Sequence, residues 1–265
     1  VGSDLRLALL GDPVDHSLSP VMHEAALKAR GIGGTYVGCK VDAAGMERIA
    51  AEMRRGEWDG ANITMPHKHL AYRLADKVGD EAVRAGSVNT WLRIGAVIEG
   101  YSTDVVGIKA VWSALRDDGP VLILGSGGAA SAAVIALENR ELVISARSLD
   151  KGLAVIERSG VAARLMPWGT PMDGATVVNC TPLGMRGEAL PAGVLSSAIG
   201  LLDMTYGPDP SPAILWAIRA GIPYVDGIRL LAAQAEESFR IWTGRHPPVD
   251  LMETVARKHL STPDM

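Results

Sequence analysis

Four short stretches of this 265-residue chain gather side chains that hydrogen-bond or carry charge: Asp15-His16-Ser17-Leu18-Ser19-Pro20, Asn62-Ile63-Thr64-Met65-Pro66-His67-Lys68, Ser87-Val88-Asn89-Thr90 and Ser102-Thr103-Asp104. They fall where apolar, strand-like runs should end, which is where open α/β sheets place ligands. Hydroxyls, amides, one lysine and one aspartate offer many hydrogen bonds and little apolar surface, a set suited to a small polyhydroxylated acid. Taken singly, each has a structural reading. Ser19 before Pro20 is a good helix N-cap, Asp104 caps the helix after it, Thr64 owes its extended backbone to Met65-Pro66, and Lys68 is a solvated helix lysine. His67 and His69 are two apart, face different ways on a helix, and read as surface histidines.

A second kind of chemistry is written at Val121-Leu122-Ile123-Leu124, which runs into Gly125-Ser126-Gly127-Gly128-Ala129-Ala130 and an alanine-rich helix. This is GxGxxA between a strand and a helix. Gly125 permits the tight turn, Gly127 lets the backbone approach a pyrophosphate, and Ala130 allows close helix–strand packing. The helix N-terminus then offers N–H groups to phosphates. About twenty residues on, an NAD enzyme would show Asp or Glu for the ribose 2′-hydroxyl. This chain has Ser145-Ala146-Arg147-Ser148, with no acid and an arginine able to pair with a 2′-phosphate, which favours NADP over NAD.

These residues need elements to hold them. Strand-like runs are expected at Leu5 to Leu10, Tyr36 to Val41 and Ala61 to Thr64, with a hairpin at Val88 to Ile94 and Ala96 to Glu99. Helical spacing lies between them at Pro20 to Arg30, Ala44 to Arg55 and Lys68 to Asp76. A helix from Val105 to Arg116 opens a more regular rhythm, with strands at Val121 to Leu124, Leu142 to Ser145, Thr176 to Asn179, Leu201 to Met204 and Pro223 to Val225. Apolar strands alternating with helices mark a doubly wound α/β fold. Ile228 to Gly244 and Val249 to Leu260 are helical. The expected organisation is an N-terminal α/β substrate domain over 1–104, a Rossmann-type nucleotide-binding domain over 105–228, and C-terminal helices over 229–265 that pack back on the first. Hydrophobic residues at 48% and charged residues at 21% exclude a disordered chain, and a net charge of −4 gives no reason to expect nucleic acid or anionic membrane as a partner. Charges interrupt every long apolar run, and the first residues lack a signal-peptide pattern. Cys39 and Cys180 show no metal-ligand spacing, so no metal is expected, and a reducing cytoplasm is the simpler setting.

In this order the motifs resemble the shikimate dehydrogenase family over nearly the whole chain. The resemblance rests on Gly11-Asp12-Pro13 with His16 to Pro20, Gly60 to Lys68, Ala85 to Thr90, Thr103-Asp104, Gly125 to Ala129, Asn179-Cys180-Thr181-Pro182-Leu183-Gly184-Met185, Asp203-Met204-Thr205-Tyr206, Asp226-Gly227 and Ala233-Gln234-Ala235. It implies that Ser17 and Ser19 hold a substrate carboxylate. Asn62, Thr64, Asn89 and Gln234 would bind ring hydroxyls, with Tyr206 nearby. Lys68 and Asp104 would form the catalytic pair. Gly125, Ser126, Gly127, Gly128 and Ala129 would cradle the NADP pyrophosphate, Arg147 the 2′-phosphate, with Thr181 and Gly227 on the nicotinamide side. The implied reaction is NADP-dependent reduction of 3-dehydroshikimate to shikimate, on the route to chorismate and aromatic amino acids, by a monomer or homodimer.

The chain departs from the family pattern in places. Ser102-Thr103-Asp104-Val105 stands where Asn-Thr-Asp-Gly is frequent, Ala146-Arg147-Ser148 where Asn-Arg-Thr is frequent, Arg229 at a position commonly glycine, and His67 where an aromatic is common. These leave two further activities to weigh: a relative acting on quinate or an amino-substituted analogue, and a catalytically weak protein that senses NADP or a metabolite.

Overall fold

The computed structural model describes residues 4–115 and 118–261; Arg116 and Asp117, at the expected end of the helix after Val105, lie outside them. The chain divides into two compact units, one of residues 1–103 with 234–265, the other of residues 104–233.

The first unit is a mixed six-stranded sheet with helices. Its strands are β1 (Leu5–Gly11), β2 (Gly34–Lys40), β3 (Gly60–Ile63), β4 (Lys77–Val78), β5 (Thr90–Ile94) and β6 (Val97–Tyr101), in the order β2-β1-β3-β5-β6-β4. β5 runs antiparallel to β3 and β6, while β1 pairs in parallel with β2 and β3. The register sets Leu9 beside Asn62, Asn62 beside Thr90 and Thr90 beside Tyr101. One end of the sheet therefore carries the residues after β1, those after β3, those before β5 and those after β6. The helices are α1 (Ser19–Ala29), α2 (Ala43–Arg54), α3 (Lys68–Leu74) and α4 (Asp80–Ala85), joined later in the chain by most of α9 (Gly227–Thr243) and by α10 (Leu251–Ser261), which lies against α1. The Asp42 carboxylate starts α2 by accepting the Gly45 N–H at 2.8 Å, a side-chain N-cap. α1 begins at Ser19 itself, one residue before the expected start. Ser19 is thus not the N-cap; Ser17 Oγ accepts the Ser19 N–H at 3.2 Å.

β4 and α4 are elements that sequence periodicity does not reveal, because two and six residues are too few to show a period. The expected hairpin forms with its first strand beginning at Thr90, and the Asn89 backbone still bonds to Ile63 and Tyr101 on either side.

The second unit is an all-parallel sheet of β7 (Val121–Leu124), β8 (Leu142–Ala146), β9 (Ala163–Pro167), β10 (Thr176–Asn179), β11 (Gly200–Asp203) and β12 (Tyr224–Val225), in the order β12-β11-β10-β7-β8-β9. Numbered from β7, this is the 3-2-1-4-5-6 order of a dinucleotide-binding sheet, whose direction of winding reverses between β7 and β10. All residues of β7, β8, β10 and β11 are buried, as parallel strands covered on both faces require. Helices α5 (Thr103–Trp112), α6 (Gly128–Ala136), α7 (Leu149–Ser159) and α8 (Pro212–Ala220) complete the order, and α5 and α9 are the elements in which the chain passes from one unit to the other. β9 is invisible in the sequence because Arg164 and Pro167 interrupt its apolar pattern, which an edge strand tolerates.

An aromatic layer ties α1 and α9 to the first sheet. The His23 ring stacks on Tyr36 at 4.5 Å between centroids and tilts against Trp242 at 5.0 Å. The Trp242 indole N–H donates to the Trp91 carbonyl at 2.9 Å. A Cβ on Gly60 would run into the Trp242 ring. Gly60→Ala is therefore expected to cost about 1–3 kcal/mol through overpacking. Thermal unfolding checks this, and an unchanged midpoint would mean that the indole moves aside freely.

His23 is fully buried with no hydrogen-bond partner for either ring nitrogen among the described residues. Burial pushes its pKa down to about 3, only partly offset by the neighbouring Asn62 carboxamide. The unfolded chain takes up this proton near pH 6.5 and the folded chain only near 3. Stability is therefore intact above pH 6.5 and falls, by up to roughly 1.4 kcal/mol per pH unit, as pH drops below it. Unfolding midpoints measured from pH 7 to 4 should fall more steeply for the native chain than for His23→Phe, and parallel slopes would refute this.

Candidate active site

The polar end of the first sheet is ordered by one hydrogen bond of known direction. Tyr36 Oη donates to Asn62 Oδ1 at 2.8 Å, and the Asn89 carbonyl, which can only accept, faces Nδ2 and so fixes the orientation of the Asn62 amide. The Asn62 N–H groups then point to Ser238 Oγ at 2.9 Å and Thr90 Oγ1 at 3.0 Å, with the Asn89 carbonyl at 3.3 Å. Asn62 was expected to face a ligand. Its two N–H groups are instead committed within the protein, and it can offer a ligand only the second lone pair of Oδ1.

Asn89 is buried and bonds in the other direction. Its Oδ1 accepts the Thr103 backbone N–H at 2.8 Å, and its Nδ2 donates to Thr103 Oγ1 at 3.0 Å. This reciprocal pair anchors the first residue of α5, and Asp104, next in the chain and 4% exposed, follows in the first turn. Only one of the two Asn89 N–H groups is used by Thr103.

Thr64, half-buried, is held beside β1 by its N–H to the Leu10 carbonyl at 2.9 Å, and the Asp12 N–H returns to the Met65 carbonyl at 3.0 Å. A Cβ on Gly11 would collide with the Thr64 side chain, so glycine there is what allows the loops after β1 and β3 to touch. Ser17, on the loop after β1, and Ser19, the first residue of α1, have their hydroxyls 3.3 Å apart, close enough for one acceptor group to bridge both.

Lys68 is the first residue of α3 and is half-buried. A cation at a helix N-terminus opposes the helix dipole, so helix stability does not explain its presence. Its carbonyl accepts the Val88 N–H at 3.1 Å, tying α3 to the loop before β5. His67, immediately before it, is not the surface histidine that spacing suggested. It is 7% exposed, and its Nε2 meets the Val41 carbonyl at 2.8 Å, so that nitrogen carries the proton. Helical spacing misled because His67 lies before the helix, where the turn aims it inward. His69 is exposed, with Nδ1 2.6 Å from the Gly86 carbonyl.

In the second unit the glycine turn takes the expected shape. Gly125 has φ +119, and a Cβ there would press on the Cys180 carbonyl and the Thr181 methyl, each at 3.3 Å. Gly127 stands before α6 with open space where a Cβ would be, and no side chain caps the helix. Gly128 and Ala129 form the first turn, Ser126 precedes it half-buried, and Ala130 is fully buried. Arg147 follows β8, is exposed, and lies with its guanidinium 5.9 Å from the Trp168 ring centre.

Asn179, at the end of β10, donates to the Leu183 carbonyl and to Asp203 Oδ1, both at 2.9 Å, and its Oδ1 accepts both the N–H and the hydroxyl of Thr181. The buried Asp203 carboxylate also accepts from the Thr205 N–H, the Thr205 hydroxyl and the Ser211 hydroxyl. These two residues fix the loops bearing Thr181 and Tyr206. Gly227 opens α9, and a Cβ there would collide with the Thr205 carbonyl. The exposed Arg229 contributes its N–H to Asp226 Oδ1.

The structure thus gathers Ser17 with Ser19, and Asn62 with Asn89 and the helix of Gln234, in the first unit. Tyr206 and Asp104 belong to the second. The sequence did not single out Tyr36 or Ser238, or give a site role to Thr90, Thr103, Asn179 or Asp203. Ser238 had one available signal: a polar residue four after Gln234, next to the buried Phe239. Among the described residues, no group of three His, Cys, Asp or Glu side chains could hold a metal ion, and no helix is long and apolar enough to cross a membrane.

Residues 9–91 match the shikimate dehydrogenase substrate binding domain, and residues 227–257 the shikimate 5′-dehydrogenase C-terminal domain. A shikimate dehydrogenase (NADP(+)) of Citrifermentans bemidjiense is 37% identical, covering 96% of this chain and 95% of the relative. One of Thermus thermophilus is 35% identical, covering 97% and 99%. The crystal structure of a Thermus thermophilus shikimate 5-dehydrogenase in complex with NADP(H) and shikimate superposes with a TM-score of 0.88 at 34% identity, over 96% of this chain and 99% of that one. A sequence this similar across both units, on the same fold, belongs to the shikimate dehydrogenase family.

Proposed function

We propose that this chain is an NADP-dependent shikimate dehydrogenase, interconverting 3-dehydroshikimate and shikimate. The observation that carries the reading is kinship at 35–37% identity, over 96–97% of the chain, with proteins of that name. The first unit, with α10, takes the substrate domain's role and the second unit the cofactor domain's.

The turn after β7 fits NADP: Gly127 leaves open the space a Cβ would fill, and α6 has no side-chain cap competing for its first N–H groups. Gly125, Ser126, Gly127, Gly128 and Ala129 would hold the pyrophosphate, Arg147 the 2′-phosphate, and Thr181 and Gly227 the nicotinamide end. When bound, the cofactor supplies or accepts the hydride. Ser17 and Ser19 take the substrate carboxylate between their hydroxyls. Thr64, Asn89, Gln234 and, through the second lone pair of Oδ1, Asn62 bind the ring hydroxyls, and Tyr206 adds a contact. Lys68 donates a proton to the carbonyl oxygen as it gains negative charge, and Asp104 is the second member of the catalytic pair. In the alcohol-oxidising direction Lys68 must accept that proton. Cys39 and Cys180 are not in a disulfide, which fits a reducing cytoplasm, where the enzyme acts as a monomer or homodimer.

Purified protein mixed with shikimate and NADP⁺ at about pH 9, with quinate and NAD⁺ in parallel, should form NADPH fastest from the first pair. Cofactor binding without turnover of either acid would instead mark a sensor. Lys68→Ala should lose about 10²- to 10⁴-fold in kcat with the fold intact, and a full rate would remove Lys68 from the chemistry. Shikimate oxidation should quicken from pH 7 to 10; a flat profile with chemistry limiting would contradict proton acceptance by Lys68. Arg147→Ala should raise KM for NADP⁺ about tenfold or more and leave that for NAD⁺ unchanged. An equal effect on both cofactors would separate Arg147 from the 2′-phosphate.

A further inference from the structure

Ser238 lies fully buried on α9, one helical turn beyond Gln234. Its hydroxyl meets four groups: Asn62 Nδ2 at 2.9 Å, Thr90 Oγ1 at 3.0 Å, the Gln234 carbonyl at 3.1 Å and Thr103 Oγ1 at 3.3 Å. These come from β3, from β5, from its own helix and from the start of α5. Proton bookkeeping gives the oxygen a definite part. The Asn89 carbonyl fixes the Asn62 amide so that Asn62 donates to Ser238, which leaves the single Ser238 proton for the Gln234 carbonyl or a threonine hydroxyl. Thr90 in turn bonds Asn89 Oδ1 at 3.2 Å. One oxygen therefore connects the helix carrying Gln234 with the amide cluster that orients Asn89 and Thr103.

We propose that Ser238 is a positioning residue for substrate: it holds Gln234 in register with Asn89, and so sets affinity for the ring hydroxyls without touching them. This rests on the shikimate reading above. Alanine in its place leaves one Asn62 N–H with only the longer bond to the Asn89 carbonyl and takes a partner from each threonine hydroxyl, and the cluster must rotate to recover it. The alignment of the two amides is lost, whereas the cofactor unit contains none of these groups.

The test compares native protein, Ser238→Ala, Thr90→Val and the double variant. The readouts are shikimate Kd by calorimetry without cofactor, KM for shikimate and for NADP⁺, kcat, and the unfolding midpoint. Ser238→Ala is expected to raise Kd and KM for shikimate about 5- to 30-fold, with KM for NADP⁺ and kcat changed less than about twofold. Thr90→Val breaks the same network from the strand side and should act in the same direction, with the double variant no worse than the weaker-binding single one. A lowered midpoint with unchanged shikimate Kd, or effects of the two substitutions that multiply, would overturn the proposal. Should Ser238→Ala not fold, Thr90→Val with native shikimate Kd would do the same. A native protein that binds no shikimate would overturn the functional reading first, and the proposal with it.

Discussion

One carboxamide, turned by a carbonyl that can only accept, sets the polar half of the first unit. The Tyr36 phenol gives its proton to Asn62 Oδ1, the Asn62 N–H groups are then aimed at Thr90 and Ser238, and the threonine hydroxyls pass the direction on to Asn89 and Thr103. An amide pointing the other way would set its oxygen against the Asn89 carbonyl, acceptor against acceptor, where an unmatched polar group costs about 1–3 kcal/mol. The aromatic layer keeps the phenol in place: Tyr36 is stacked on His23 and packed near Trp242, so apolar burial holds the group that meets the carboxamide oxygen. Asn62, expected to read a ligand, thus serves first as the joint between the core and the site.

The second unit solves a similar problem with a charge. Asp203 has no solvent exposure and collects donors from Asn179, Thr205 and Ser211, which join the ends of β10 and β11 to the start of α8. A buried carboxylate is tolerable only when so many donors surround it. Breaking any one frees loops that the backbone alone would not fix. Glycine does the complementary work by permitting close approach: at Gly125 against Cys180 and Thr181, and at Gly227 against Thr205. Charge and missing side chains together shape the loops on one end of a sheet whose strands are otherwise plain apolar runs.

Most of this fold was legible because its signals are local. Val121 to Leu124 reads as a buried strand from four consecutive apolar residues, and the glycine turn follows from the strand before it and the helix after it. The elements missed were those whose residues carry little periodic information: Lys77–Val78, Asp80–Ala85 and the half-exposed Ala163–Pro167. His67 was misread for a related reason. Helical spacing was applied to a residue that precedes its helix, where the direction of the side chain belongs to the turn.

The sequence by itself determined which residue types stand at the strand ends, the alternation that makes the second sheet parallel, the absence of an acid after Leu142–Ala146, and the ordered motifs that point to the family. These are properties of neighbours in the chain, and spacing carries them. Only the tertiary structure decided that Tyr36, Asn62, Thr90, Thr103 and Ser238 share one cluster, that the Asn62 N–H groups bond within it, and that His23 is buried without a hydrogen-bond partner among the described residues. Those contacts join positions as far as 176 residues apart. The direction of a hydrogen bond, moreover, depends on which donors burial leaves with no other acceptor, a condition that no local pattern encodes.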